Sequence, residues 1–243
     1  MEEASELAER FVDDELISIE LDDGGSFKVQ RATLCETSQY FTNALRGGFA
    51  ESRSKELRIP GCTTDSFKLI LYYLCYADLP DLISDLDIDE GEEEEDENTP
   101  SAPKASSLPT ILINSWVTCD MLLMVHLQNF AMQKFRGILK VARISVAATS
   151  LAFATLPPES PIRRAILRQA SRDFFRESRG YQSRQDLDAF GQIPGFLPDF
   201  LAATRLCPRE HLGCRKEHMM LMSDLGKDKE FFVADPESSD EDD

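Results

Sequence analysis

Residues 27–79 limit what this chain can fold into more than any other stretch. Their apolar spacing alternates between a period of two and a helical period, with a turn signal at each change. Phe27, Lys28 and Val29 alternate apolar, polar, apolar and predict a short strand. Leu34, Phe41, Ala44 and Leu45 then fall on one side at roughly helical spacing. Gly47 and Gly48 end that helical segment, because glycine takes left-handed backbone angles without steric cost. Leu57-Arg58-Ile59 predicts a second short strand, closed by Pro60-Gly61. Phe67, Ile70, Leu71 and Leu74 recur at i, i+3, i+4 and i+7 and predict another helix, with Thr63, Thr64 and Asp65 as cap candidates. Strand, helix, strand, helix, without a glycine-rich phosphate loop, describes a small α+β interaction module better than an enzyme.

The flanking sequence extends this pattern. Residues 1–15 are charged, with Leu7, Phe11 and Val12 as sparse apolar anchors of a short helix or arm. Residues 16–21 read as the first strand, and Asp22-Asp23-Gly24-Gly25 as a hairpin turn leading into the Phe27 strand. Residues 81–97 contain eleven acidic side chains and no basic one, followed by a Pro/Ser/Ala linker. So little apolar surface predicts a disordered insertion at 81–109. Structure resumes at Leu108, where Trp116, Cys119, Leu123, Leu127, Phe130 and Ala131 form one helical stripe. A further apolar helix is predicted over 138–153, ended by Pro157-Pro158. Ser160 and Pro161 open another. In that helix Ile162, Ile166, Ala170 and Phe174 share one face, and Arg164, Arg168, Arg172 and Arg176 share the opposite one.

Several of these marks together resemble the BTB/POZ domain, in the form common in fungal proteins. They are Phe27-Lys28-Val29, Leu34-Cys35, Ser38 with Tyr40-Phe41, the run from Gly47 to Glu51, Leu57-Arg58-Ile59-Pro60, Phe67, and 74–79. Trp116-Val117, Asp120, Leu122-Leu123-Met124, Leu127-Gln128-Asn129 and Ala131 resemble the family's closing helical pair, which implies a break near Met124-Val125. Residues 156–164 and 190–197 resemble the helical extension of such proteins. Gln30 departs from the pattern, since a histidine usually follows that valine, so a buried Asp–His pairing is not carried over. The implied fold is a BTB/POZ-like small sheet capped by helices over 13–137, interrupted at 81–109. An all-helical extension over 138–223 and an acidic tail over 224–243 follow.

The formal net charge of −18 opposes general nucleic-acid binding, because affinity there comes from neutralising phosphates. No apolar run is long enough to span a bilayer, and the acidic N-terminus is unlike a signal peptide. The expected setting is intracellular, cytoplasmic or nuclear, with the six cysteines reduced and mostly in apolar helical contexts.

Four patterns hint at chemistry. Cys207, His211, Cys214 and His218 have zinc-binding side chains, but on one continuous helix they would spread over about 16 Å, too far for one ion. Asp85, Asp87 and Asp89 resemble the start of a calcium loop, yet Glu90 stands where glycine is needed. The arginine stripe reads first as a solvated helix face, and otherwise as a clamp on acidic segments or a local phosphate contact. Ser238 and Ser239 lie among acids like sites of acid-directed kinases, or in a solubilising terminus. His126 reads as a packing or capping residue rather than a general base. No catalytic, metal or cofactor site is assigned, and no cofactor is expected.

The expected function is therefore contact with protein partners. The resemblance implies a homodimer using 11–21 and 34–45, with Phe11, Leu16, Leu34, Phe41 and Leu45 as candidate contacts beside Arg164, Arg168, Arg172 and Arg176. It also implies a substrate adaptor for a cullin-3 type ubiquitin ligase. The alternative is a scaffold or transcription-related regulatory dimer without a ligase link.

Overall fold

The computed structural model describes residues 15–46, 53–82, 107–174, 184–206 and 232–233. Its described residues fall into two compact units. One holds those up to Pro80 and those of Asn114–Ala131, the other those of Asp81–Ile113 and of Met132–Ala234.

The first unit starts with β1 (Leu16–Leu21) and β2 (Ser26–Gln30), an antiparallel hairpin pairing Ile17 with Val29 and Ile19 with Phe27. β3 (Glu56–Ile59) runs parallel to β1 on its other side, Ile19 opposite Leu57 and Leu21 opposite Ile59, giving the order β2-β1-β3. A parallel neighbour needs a crossover, and helices α1 (Arg31–Thr37) and α2 (Gln39–Arg46) lie on it. The period-two pattern then decides burial. Ile17, Ile19, Leu21, Leu57 and Ile59 are buried, while Leu16, Glu20, Glu56 and Arg58 face solvent.

The helical segment expected around 34–45 is two helices, because Ser38 leaves helical angles at φ −145°, ψ 124°. Its hydroxyl accepts from the Phe41 amide at 3.4 Å and donates to the Leu122 carbonyl at 2.6 Å. A cap and a long-range tie therefore share one buried oxygen. Helix α3 (Thr64–Tyr76) starts at Thr63, whose side chain accepts from the Ser66 amide, and ends at Ala77 in the left-handed region.

Helices α4 (Leu108–Met121) and α5 (Val125–Val141) are separated where the family pattern placed the break. Leu123 takes φ +56° there and is 58% exposed, so it does not belong to the buried stripe expected to include it. Trp116, Cys119, Leu127 and Ala131 are buried as expected.

The single apolar helix expected over 138–153 is also corrected. Helix α5 ends at Val141, and α6 (Val146–Thr155) starts anew, with the Ser145 side chain accepting from the Ala148 amide. That cap satisfies a helix-end amide without proline or glycine nearby. Helices α7 (Pro161–Phe174), α8 (Arg184–Gly191) and α9 (Phe196–Leu206) complete the second unit. Leu167, Ala170, Phe190, Ile193 and Phe196 form its core cluster, flanked by Val146, Phe153, Phe200 and Ala203. Burying each large apolar side chain contributes about 1.5–3 kcal/mol before entropy is counted, so these rings hold the helices together. Among the described residues no helix is long and apolar enough to cross a membrane.

Candidate protein-interaction surface

The surface of the first unit depends on how its hairpin is anchored. Asp22 and Asp23, at the β1–β2 turn, accept bonds from the chain that leads from β3 into α3. Asp22 accepts from the Gly61 amide at 2.6 Å and from the Arg58 guanidinium at 3.0 and 3.1 Å. Asp23 accepts from the Thr64 amide at 2.6 Å, the Thr64 hydroxyl at 2.9 Å and the Gly25 amide at 3.2 Å. These bonds favour the ionised form. Asp22 lies below the ordinary carboxylate range chiefly through Gly61 and then Arg58, and Asp23 chiefly through Thr64. Gly25 has to be glycine for room, since a Cβ there would strike the Thr64 hydroxyl. What reads in sequence as a plain acidic turn fixes where α3 begins.

Helix α3 buries only Ser66, Phe67 and Ile70. Tyr73 faces Phe130, ring centroids 5.9 Å apart, and burial pushes its phenol pKa up. Asp65, Lys68, Tyr72 and Tyr76 recur along the outer side at helical spacing, and all four are exposed. Lys68 pairs with Asp65 at 2.9 Å. Tyr72 and Tyr76 lie ring against ring, centroids 4.6 Å apart, and are 39% and 68% exposed. Neighbouring exposed tyrosines carry much apolar area on few rotatable bonds, the property that favours aromatic residues at protein interfaces. Leu123, on the same unit, adds a large exposed apolar side chain. Sequence reading placed Leu123 in a helical stripe and picked out neither Tyr72 nor Tyr76 as a contact. Periodicity shows that a helix has apolar residues on two faces, but not which face the core covers.

The candidate contact residues separate sharply. Leu16 is solvent-facing at 53% exposure. Beside it Glu15 pairs with Lys55 at 2.7 Å and Arg31 at 3.3 Å, and the Lys55 bond does most to lower its carboxyl pKa. Arg31 also donates to the Leu45 carbonyl at 2.7 Å, tying the end of α2 to the start of α1. Leu34, Phe41 and Leu45 are corrected: all three are buried in the chain's own core, because the helix face that carries them is turned inward. Phe11 and Arg176 lie outside the described residues, as do Ser238, Ser239, the 207–218 cysteine–histidine set and the 85–89 aspartates.

Arg164 and Arg168 are exposed on α7 and Arg172 is half-buried there. The arginine that sequence reading passed over is Arg163. It is 6% exposed, donates to the Leu156 carbonyl at 3.2 Å and to Asp199 at 2.8 Å, and lies over the Phe153 ring at 3.9 Å. Its sequence signal, one arginine in a run of two, does not separate it from Arg164.

His126 is exposed in the first turn of α5, so of the packing or capping role expected for it the packing half is corrected. Cys62 and Cys119 are buried, Cys35 is half-buried, and Cys75 is exposed, an exception to the mostly apolar setting expected of the six. Burial pushes the Cys62 thiol up to about 11 and the Cys119 thiol up as well. Among the described residues no group of three or more His, Cys, Asp or Glu could hold a metal ion. The arrangement offers surfaces for contact.

Residues 4–87 match the model of the family described as BTB/POZ domain. No curated protein matches the chain.

Proposed function

Given that this chain carries a BTB/POZ domain, which is a protein–protein interaction module, we propose that it self-associates and acts as a substrate adaptor for a cullin-3 type ubiquitin ligase. We take the domain to extend over 13–137, with the helical residues 138–223 as its appended part and 224–243 as an acidic tail. The observation that carries the reading is the domain match together with apolar side chains left in solvent on that unit: Leu16, Tyr72, Tyr76 and Leu123. Large apolar side chains in water favour burial against another surface. On this reading partners of the domain meet it through Leu16 at the sheet and through the tyrosines of α3. The arginine face of α7, with Arg164, Arg168 and Arg172, is a further candidate contact.

Two measurements test this. Light scattering on the full chain should give twice the 27.4 kDa chain mass. Pull-down from cell extract should retain a cullin with the parent chain and lose it with Tyr72→Ser/Tyr76→Ser, whose circular dichroism should match the parent. A dimer that retains other proteins but never a cullin favours the scaffold or transcription-related regulator instead. A monomer that retains neither overturns both.

A further inference from the structure

Helix α7 is covered on nearly every side. From Ile162 to Asp173 each position is buried except Arg164 and Arg168, which are exposed, and Arg172, which is half-buried. What solvent meets on this stretch is therefore a strip one residue wide, made of arginine alone. A strip that only had to be polar would carry acids as well, since the chain has 44 acidic side chains against 26 basic ones.

We infer that this strip docks an extended peptide of a partner protein, one that carries an acidic side chain at every second position. Three observations point to that occupant. First, the register fits. Helix positions four apart lie about 6 Å apart along the axis, and alternate side chains of an extended strand lie about 6.6 Å apart on one face. A strand laid along α7 thus brings alternate acids to Arg164, Arg168 and Arg172, whereas consecutive acids would point to opposite faces. Second, all three positions are arginine. A guanidinium holds a carboxylate through two parallel bonds, which the point charge of lysine does not. Each of the three also interacts within the chain, and the fork of N–H donors on a guanidinium serves more than one acceptor at once. Third, the spacing is preset. Ile162, Ile166 and Ala170 are buried and hold α7 in place, so the row of charges is not ordered by the ligand. The net charge of −18 does not forbid an acidic ligand, because charges beyond about 8 Å are screened at physiological salt. The acid on α7 itself, Asp173, is buried and takes the Gln169 amide on both oxygens at 3.0 Å. The inference rests on the reading of this arginine face as a contact, but not on self-association or on a cullin.

The test is fluorescence anisotropy of the full chain with a labelled peptide of alternating Glu and Ser, against one of the same composition with its Glu residues in a block. The alternating peptide should bind at least about threefold tighter, and Arg164→Ser/Arg168→Ser should weaken it about fivefold or more, as loss of two exposed ion pairs does. Lys28→Ser/Lys68→Ser removes the same charge from exposed positions of the first unit and should leave binding unchanged. Both variants should keep the circular dichroism of the parent. Absence of peptide binding overturns the inference while leaving particle mass and cullin retention to be read separately. Equal affinity for the two peptides, or equal loss in the two variants, overturns it as well. So does tighter binding of a labelled oligothymidylate, which would assign the strip to nucleic acid.

Discussion

Replacing Ser38 with alanine tests whether the first unit is held by a single buried oxygen. The hydroxyl donates to the Leu122 carbonyl across 84 residues of sequence at 2.6 Å, in a buried setting. It also accepts from the Phe41 amide at 3.4 Å, a long N-cap bond for α2. Stranding the carbonyl costs about 1–3 kcal/mol, since no water replaces the lost donor. Losing so long a cap adds about 0.5 kcal/mol, the lower end for such residues. The expected loss is about 1.5–3.5 kcal/mol. Trp116 is the single tryptophan and is 7% exposed within the same unit, so its fluorescence in a urea titration follows this unit alone. Thr37→Ala is the matched control. That hydroxyl donates to the Thr33 carbonyl at 2.9 Å in an exposed turn, where water can substitute, so the change should stay within about 0.5 kcal/mol. If Ser38→Ala also fell within that limit, the tie from Ser38 to the α4–α5 turn would contribute nothing and the reasoning would fail.

Other outcomes follow from the same physics. Asp22 and Asp23 have folded-state pKa values below their unfolded ones, so their bonds stabilise fully above the ordinary carboxylate pKa and are lost as pH falls through the folded values. Urea midpoints of Asp22→Asn/Asp23→Asn should therefore lie below the parent's at neutral pH and approach them in acid; a constant gap would rule this out. Arg163→Ala removes the bonds to Leu156 and Asp199 and the contact with Phe153. It should cost about 2–3 kcal/mol by thermal unfolding, against about 0.5 kcal/mol or less for the exposed Arg164→Ala, and equal effects would refute the distinction. Iodoacetamide near pH 8, followed by mass spectrometry, should label Cys75 well before Cys62 and Cys119. Burial blocks access to the latter two and keeps them as thiols, so early labelling of Cys62 would contradict its placement.

Much of the fold was legible from short-range signals. Alternation at Ile17, Ile19 and Leu21, the turn at 22–25, the Thr63 cap and the start of α7 at Pro161 each depend on residues close in sequence. The break between α4 and α5 needed the family resemblance, because the stripe through Trp116 and Leu127 reads as one helix by periodicity alone. The break before α6 escaped because Ser145 interrupts the helix by capping the next one, without proline or glycine to mark it.

The sequence by itself determined a small sheet with helices, an acidic chain of segregated charge, and a domain built for contact, since alternation, helical spacing and turn chemistry are local properties. Only the tertiary structure decided which apolar residues are core and which are surface. Leu34, Phe41 and Leu45 went inward, while Tyr72, Tyr76, Leu197 and Leu201 stayed in water. It also picked Arg163 over Arg164 and turned Asp22 and Asp23 from a turn into an anchor. The reason is that burial and hydrogen-bond partners are set by which distant segment lies against a face, and a periodic pattern carries no record of what covers it.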